Sequence, residues 1–418
     1  MALSRIEQLP PELKQLVLSY ATDWPSLRSA VLSCPAFYAA FKSAEQWIAT
    51  RFVKNLIDIE VLPEAYLAQG LRNLTMLWPY PEAANTIETW LAVELRKKRR
   101  VTDEKLTVRD AIAMSRLHHA VESFVDEYIR YCTPLARGST VLQPATTLAE
   151  KPLTRAERSR MSRAFYLLEM FSRLHRCGAP CAQQGFKFPV DIPVTHPFFA
   201  ALPPWEKEQL RCINWCLKAF YERECVQPLF PQQTYFGNTW DMTQEKKDLW
   251  YAIKDRDPIR LGLEALHEAS ISTGSAHREE IMRQGRTAYE LRREDFPPQL
   301  DRILDNLERI PEWDMPGKPD GLEVHVRGAS LRGEDADPGP RAVWTWVNEG
   351  TGWGRYDPQL RGSLGDRQRE TIQAVRWTGL VFWDHSRLEA AGVFSRDSRS
   401  WVTSAASLID LGRRTGES

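Results

Sequence analysis

The sequence of 418 residues predicts a mainly α protein: an N-terminal three-helix module on a multi-helix body, with a small C-terminal α+β portion rich in tryptophan. Three observations predict it. Apolar residues recur three and four apart through most of residues 9–310, the spacing of a helix face. Pro-Glu, Pro-Pro and Thr-x-x-Glu starts punctuate those runs, where proline and carboxylates suit a first helical turn. From residue 311 the composition changes to Pro/Gly/acid-rich text with short alternating stretches. The divisions that follow are 1–55, 56–310 and 311–418.

In the first of these, Pro10 and Pro11 open a helix and Glu12 meets its positive end. Leu13, Leu16, Val17 and Tyr20 form its apolar stripe. Asp23-Trp24-Pro25-Ser26 reads as a turn in which Ser26 caps the next helix. Leu27, Ala30, Val31 and Cys34 repeat the spacing until Pro35 ends the run. Phe37, Phe41, Ala44 and Ile48, with Trp47 beside them, make a third stripe. Three short helices carry more apolar surface than they can bury alone, so the surplus faces the rest of the chain or a partner.

Leu9-Pro10, Glu12-Leu13, Leu27, Cys34 with Phe37, and Trp47 together resemble the F-box, with Pro35 where a basic residue is usual. The F-box is the three-helix module that docks its protein onto a Skp-type adaptor of a cullin–RING ubiquitin ligase. The match spans residues 9–53. More widely, the chain is similar to a group of filamentous-fungal proteins with an F-box-like start. Three later phrases carry that likeness: LTRAERSRMSRAFYLLEMFSRL (153–174), LPPWEKEQLRCI (202–213) and GLVFWDHSRL (379–388). The resemblance implies an adaptor or substrate receptor with a protein substrate that the sequence does not identify. It implies partner-binding through Leu9, Pro10, Leu13, Leu27, Leu32, Cys34, Phe37 and Trp47. A second reading stands beside it: a stand-alone helical interaction scaffold in which residues 9–53 are core.

The body continues the helical pattern. Leu62-Pro63-Glu64 starts a helix through Leu67, Leu71 and Leu74. Another is expected from about Asn85 to Leu95, ending in Arg96-Lys97-Lys98-Arg99-Arg100, which reads as a solvated helix end before a nucleic-acid patch. Residues 107–132 are amphipathic through Val108, Ile112, Leu117, Val121, Val125 and Tyr128, and 133–152 read as a loop. Thr154-Arg155-Ala156-Glu157 is a capping box. Behind it Met161, Ala164, Leu168, Phe171 and Leu174 face the core, while the interleaved arginines pair with Glu157 and Glu169 in solvent. Pro203-Pro204-Trp205-Glu206 starts a helix with Leu210, Ile213, Leu217 and Phe220 inside. Helices are also expected over 243–270, with Gly262 closing or kinking its segment, and over 276–292 and 297–307. Cys212 and Cys216, one turn apart, and Cys177 and Cys181 could share a metal; their loose spacing favours buried thiols.

In the C-terminal portion residues 322–326, 343–347, 373–377 and 379–384 read as strands. Six of the 15 tryptophans lie between 344 and 401, as aromatic core before ligand groove.

The remaining bounds exclude classes. Lys+Arg and Asp+Glu are both 55, which argues against a global nucleic-acid or anionic-membrane binder. No apolar run approaches the roughly 20 residues of a membrane span. The charged start lacks a secretory pattern, and seven cysteines suggest no disulfide scaffold, so a cytoplasmic or nuclear protein is expected. No nucleophile elbow, zincin motif, dinucleotide loop or phosphate loop appears; neither enzyme activity, cofactor nor metal is expected.

Overall fold

The computed structural model describes residues 8–75, 105–137, 152–183, 202–230, 243–244, 246–247, 261–287, 337–351 and 379–394. The expectations for 85–100, 297–307, 322–326 and 373–377 lie outside them. Twelve α-helices and no strand are present among the described residues, so the fold is mainly α. The chain forms two compact units, Met1–Ser123 and Phe124–Ser418.

In the first unit the helix starts follow local chemistry. α1 (Pro11–Ser19), α2 (Trp24–Ser33) and α3 (Pro35–Ser43) each carry proline in the first turn. The cap of α2 is Asp23, not Ser26. Its carboxylate accepts from the Ser26 N–H at 2.7 Å and the Ser26 hydroxyl at 2.8 Å. The expected third helix is two, α3 and α4 (Glu45–Leu56), broken at Ala44 without a glycine or proline to announce it. α5 (Leu62–Thr75) follows. Leu18, Leu27, Val31, Phe37, Phe41, Ile48, Phe52 and Val53 form the core of these helices, and Ala65, Ala68 and Leu71 extend it. α1 is tied to its neighbours by Gln15 donating to the Ser43 hydroxyl at 3.0 Å and Asn55 donating to the Ser19 carbonyl at 2.8 Å.

α6 (Val108–Arg137) runs past the expected loop start at 133, and the boundary between units falls inside it. Thr107 and Asp110 cap it reciprocally: the Asp110 N–H donates to the Thr107 hydroxyl at 3.1 Å, and that hydroxyl donates to Asp110 at 2.6 Å. Gln69 at 2.9 Å and Asn73 at 3.2 Å bring α5 onto the same carboxylate. Burial alone would raise the Asp110 carboxyl, but the hydrogen bonds from Thr107, Asn73 and Gln69 outweigh it and hold the group below 3.8.

The second unit is built on α7 (Arg155–Gln183) and α8 (Pro204–Tyr221), which pack along each other. A π-helical turn, Glu222–Val226, continues α8, and α9 (Leu263–Ile271) and α10 (Ser275–Thr287) complete this part. Phe124 of α6 stacks on Phe165 at 5.9 Å and meets Phe220 edge-on at 5.3 Å. Gly262, with φ 78°, precedes α9 and opens it. Gly262 has no side chain to cap with, so Glu169 of α7 does so instead, accepting from the Leu263 N–H at 2.8 Å.

Residues 343–347, expected as strand, lie in α11 (Gly339–Thr351). Asp337 initiates it, accepting from the Gly339 N–H at 2.7 Å, and Pro340 suits its first turn. That start chemistry overrides a five-residue alternation. Residues 379–384, also expected as strand, instead form a 3₁₀ turn at Leu380–Phe382. Gly379 precedes it with φ 62°, a conformation no strand adopts. α12 (His385–Ala390) ends the described chain's helices.

The solvated pairs expected on α7 are not solvated. Glu157, Arg160, Arg163, Glu169 and Arg173 are all buried; segments far along the chain partner the first four, and Arg173 pairs locally with Glu169 at 2.6 Å. Glu157 closes the predicted capping box with Thr154, accepting from its N–H at 2.8 Å, and pairs with Arg387 at 2.7 Å. Arg160 donates to Asp384 at 2.7 Å and to the Phe382 carbonyl at 3.1 Å. Gln209 of α8 donates to the Val381 carbonyl at 3.0 Å. The three phrases singled out in the sequence therefore meet in one buried polar joint.

Candidate functional site

The outward face of α1–α4 carries the most unusual chemistry among the described residues. On α1 the buried side runs through Lys14, Leu18 and Ser19, so the helix is turned from the orientation its leucines suggest. Leu13, Val17 and Tyr20 fall at i, i+4 and i+7 and form one stripe on the opposite side. Leu13, Val17, Tyr20, Leu32, Tyr38 and Trp47 are each between 45% and 62% exposed. Single exposed apolar side chains are ordinary; here six occur within four short helices, three of them in one stripe on α1.

Arg51 joins two of them. Its guanidinium lies 5.6 Å from the Tyr20 ring centroid and 5.3 Å from that of Trp47. Trp47 and Arg51 are one turn apart on α4, and Tyr20 is brought to them at the end of α1. An Arg51 N–H also donates to the Tyr20 hydroxyl at 3.4 Å. The stripe Leu13–Val17–Tyr20 thus ends on a cation held between aromatic rings.

The eight sequence-named residues divide. Pro10, Leu13, Leu32 and Trp47 are exposed and Leu9 and Cys34 half-buried. Leu27 and Phe37 are only 1% and 8% exposed and belong to the core of this unit. The sequence places Val17 and Tyr20 in a stripe without fixing its side, and nothing in it marks Tyr38. The Trp47–Arg51 spacing was a readable signal; Tyr20 reaches Arg51 only through the fold.

Other candidates hold less. Cys212 and Cys216 are buried and form no disulfide among the described residues. The side chains of Cys177 and Cys181 lie outside the description, and no group of three metal-ligating residues occurs among the described residues. Cys225 is likewise buried, which pushes its thiol up to about 12. No helix among the described residues is long and apolar enough to cross a membrane.

The chain matches no protein-family model, no curated protein and no solved structure.

Proposed function

We propose that residues 9–53 dock a Skp-type adaptor of a cullin–RING ubiquitin ligase, and that the protein is an F-box-like substrate receptor of the cytoplasm or nucleus without enzymatic activity of its own. The observation that carries this reading is the exposed apolar set Leu13, Val17, Tyr20, Leu32 and Trp47 on helices that already bury a core of their own. A three- or four-helix layer serving only its own chain would turn such side chains inward. Leu9 and Pro10 stand at the start of the same stripe. Interfaces of this kind concentrate their energy in a few apolar and aromatic anchors. Leu27 and Phe37, being core, act by holding α2 and α3 in place.

Co-expression with a fungal Skp-type adaptor and size-exclusion chromatography tests the reading. A stoichiometric complex is expected. Leu13→Ala with Val17→Ala should weaken it about 30-fold, as loss of central anchors does. The thermal midpoint of the free protein should stay put, since both positions are exposed. Separate elution of the two proteins at micromolar concentration, or a complex indifferent to the double substitution, would refute it. The alternative, a stand-alone helical scaffold, then takes its place.

A further inference from the structure

Arg51 is oriented for a partner that the described chain does not supply. Among the described residues no carboxylate pairs with its guanidinium, which meets the Tyr20 and Trp47 rings and donates to the Tyr20 hydroxyl. Lys42 nearby in sequence differs, being paired with Glu45 at 3.0 Å. The two rings approach the guanidinium within about 6 Å and hold it, and the terminal N–H donors not used on the Tyr20 hydroxyl are left to an acceptor at the edge. It also fixes the side chain's rotamer before binding, which removes an ordering cost. A partner that covers the exposed stripe Leu13, Val17 and Tyr20 would exclude water from this end of it, and a charge-assisted bond strengthens where water is excluded.

From this we infer that Arg51 seats an aspartate or glutamate side chain of the docked adaptor, which lies within an apolar helix face that covers Leu13, Val17 and Tyr20. The inference rests on the docking reading above and adds the charge chemistry of the partner. A carboxylate suits the site better than a nucleic-acid backbone. A phosphate chain is held by several cations along a hydrated track, whereas here one cation ends an apolar stripe.

The test uses the full chain and the purified adaptor, with dissociation constants measured calorimetrically between about 50 and about 300 mM salt, where screening of a rim charge changes most. The wild-type complex is expected to weaken shallowly with salt. Arg51→Met should bind about tenfold more weakly, the loss of one charge-assisted contact, with the salt dependence gone. Arg51→Lys should retain the salt dependence with a smaller loss, because an ammonium keeps the charge without the stacked plane. An Arg51→Met complex of unchanged affinity, or a weaker one with the wild-type salt dependence, would overturn the carboxylate contact; the second result marks a packing role only. Salt-independent binding by the wild type overturns it without any variant. No binding by the wild type overturns the docking reading and this inference together.

Discussion

Replacing Arg160 with methionine should cost the second unit more stability than any exposed substitution. Methionine keeps an apolar stem in the site but removes, among others, the 2.7 Å pair with Asp384, the 3.1 Å bond to the Phe382 carbonyl and the longer 3.8 Å approach to Asp337. Deleting one partner of a buried ion pair costs about 3–5 kcal/mol. An orphaned buried carbonyl adds about 1–3 kcal/mol. Two effects reduce the sum. The side chains of Asp384 and Asp337 are 14% and 29% exposed, so water can partly rehydrate them. The new methionine also gains apolar burial. A net loss of about 3 kcal/mol remains. For a unit of this size each kcal/mol moves the thermal midpoint by roughly 2 °C, hence a drop of roughly 6 °C. Urea unfolding followed by tryptophan emission is a direct assay, because buried Trp383 lies next to Asp384 under the Arg387 guanidinium. A double-mutant cycle with Asp384→Asn should show coupling of about 1–3 kcal/mol. A loss below about 1 kcal/mol, or strictly additive single effects, would refute the claim that this joint holds the unit together.

Three further outcomes are expected. An added Cβ at Gly379 would stand 2.6 Å from the Tyr128 hydroxyl and strain a φ of 62°, so Gly379→Ala should destabilise by about 2–4 kcal/mol in the same urea assay; a neutral effect would contradict the close approach. Its hydrogen bonds hold the Asp110 carboxyl below the usual aspartate range, so its stabilisation is complete above the unfolded value and fades as pH falls through the depressed folded one. The gap in thermal midpoint between wild type and Asp110→Asn should therefore be widest near neutral pH and close in acid; a gap independent of pH contradicts this reading. Cys225, with its thiol raised to about 12, should resist alkylation in the native protein while half-buried Cys34 reacts, as peptide mapping would reveal; equal labelling of the two would count against the burial.

The helices were legible wherever a local signal marked both the start and the apolar face. Pro11, Leu62-Pro63 and Pro204 each open the helix expected of them, Pro35 ends the run before it and also opens α3, and the Thr154–Glu157 capping box forms as written. What misled was pattern without start chemistry. Val343 to Val347 alternate like a strand, yet Asp337 and Pro340 had already begun a helix. The docking face was half legible. Periodicity grouped Leu13, Val17 and Tyr20 correctly, but a stripe on an isolated helix does not say whether it points in or out. Lys14 and Leu18 settle that side only once α3 and α4 are packed against α1. The arginines of α7 were misread for a related reason. Arg160 and Glu157 find their partners Asp384 and Arg387 more than two hundred residues away, beyond the reach of any i,i+4 argument.

That last separation has a consequence for how the protein is made. Glu157 and Arg160 leave the ribosome long before Asp384 and Arg387 are translated. Until then the N-terminal turn of α7 exposes charges whose burial is only favourable with both ends present. The joint itself therefore cannot form until the last described helix has been translated, even though α7 and α8 are already made and pack along each other.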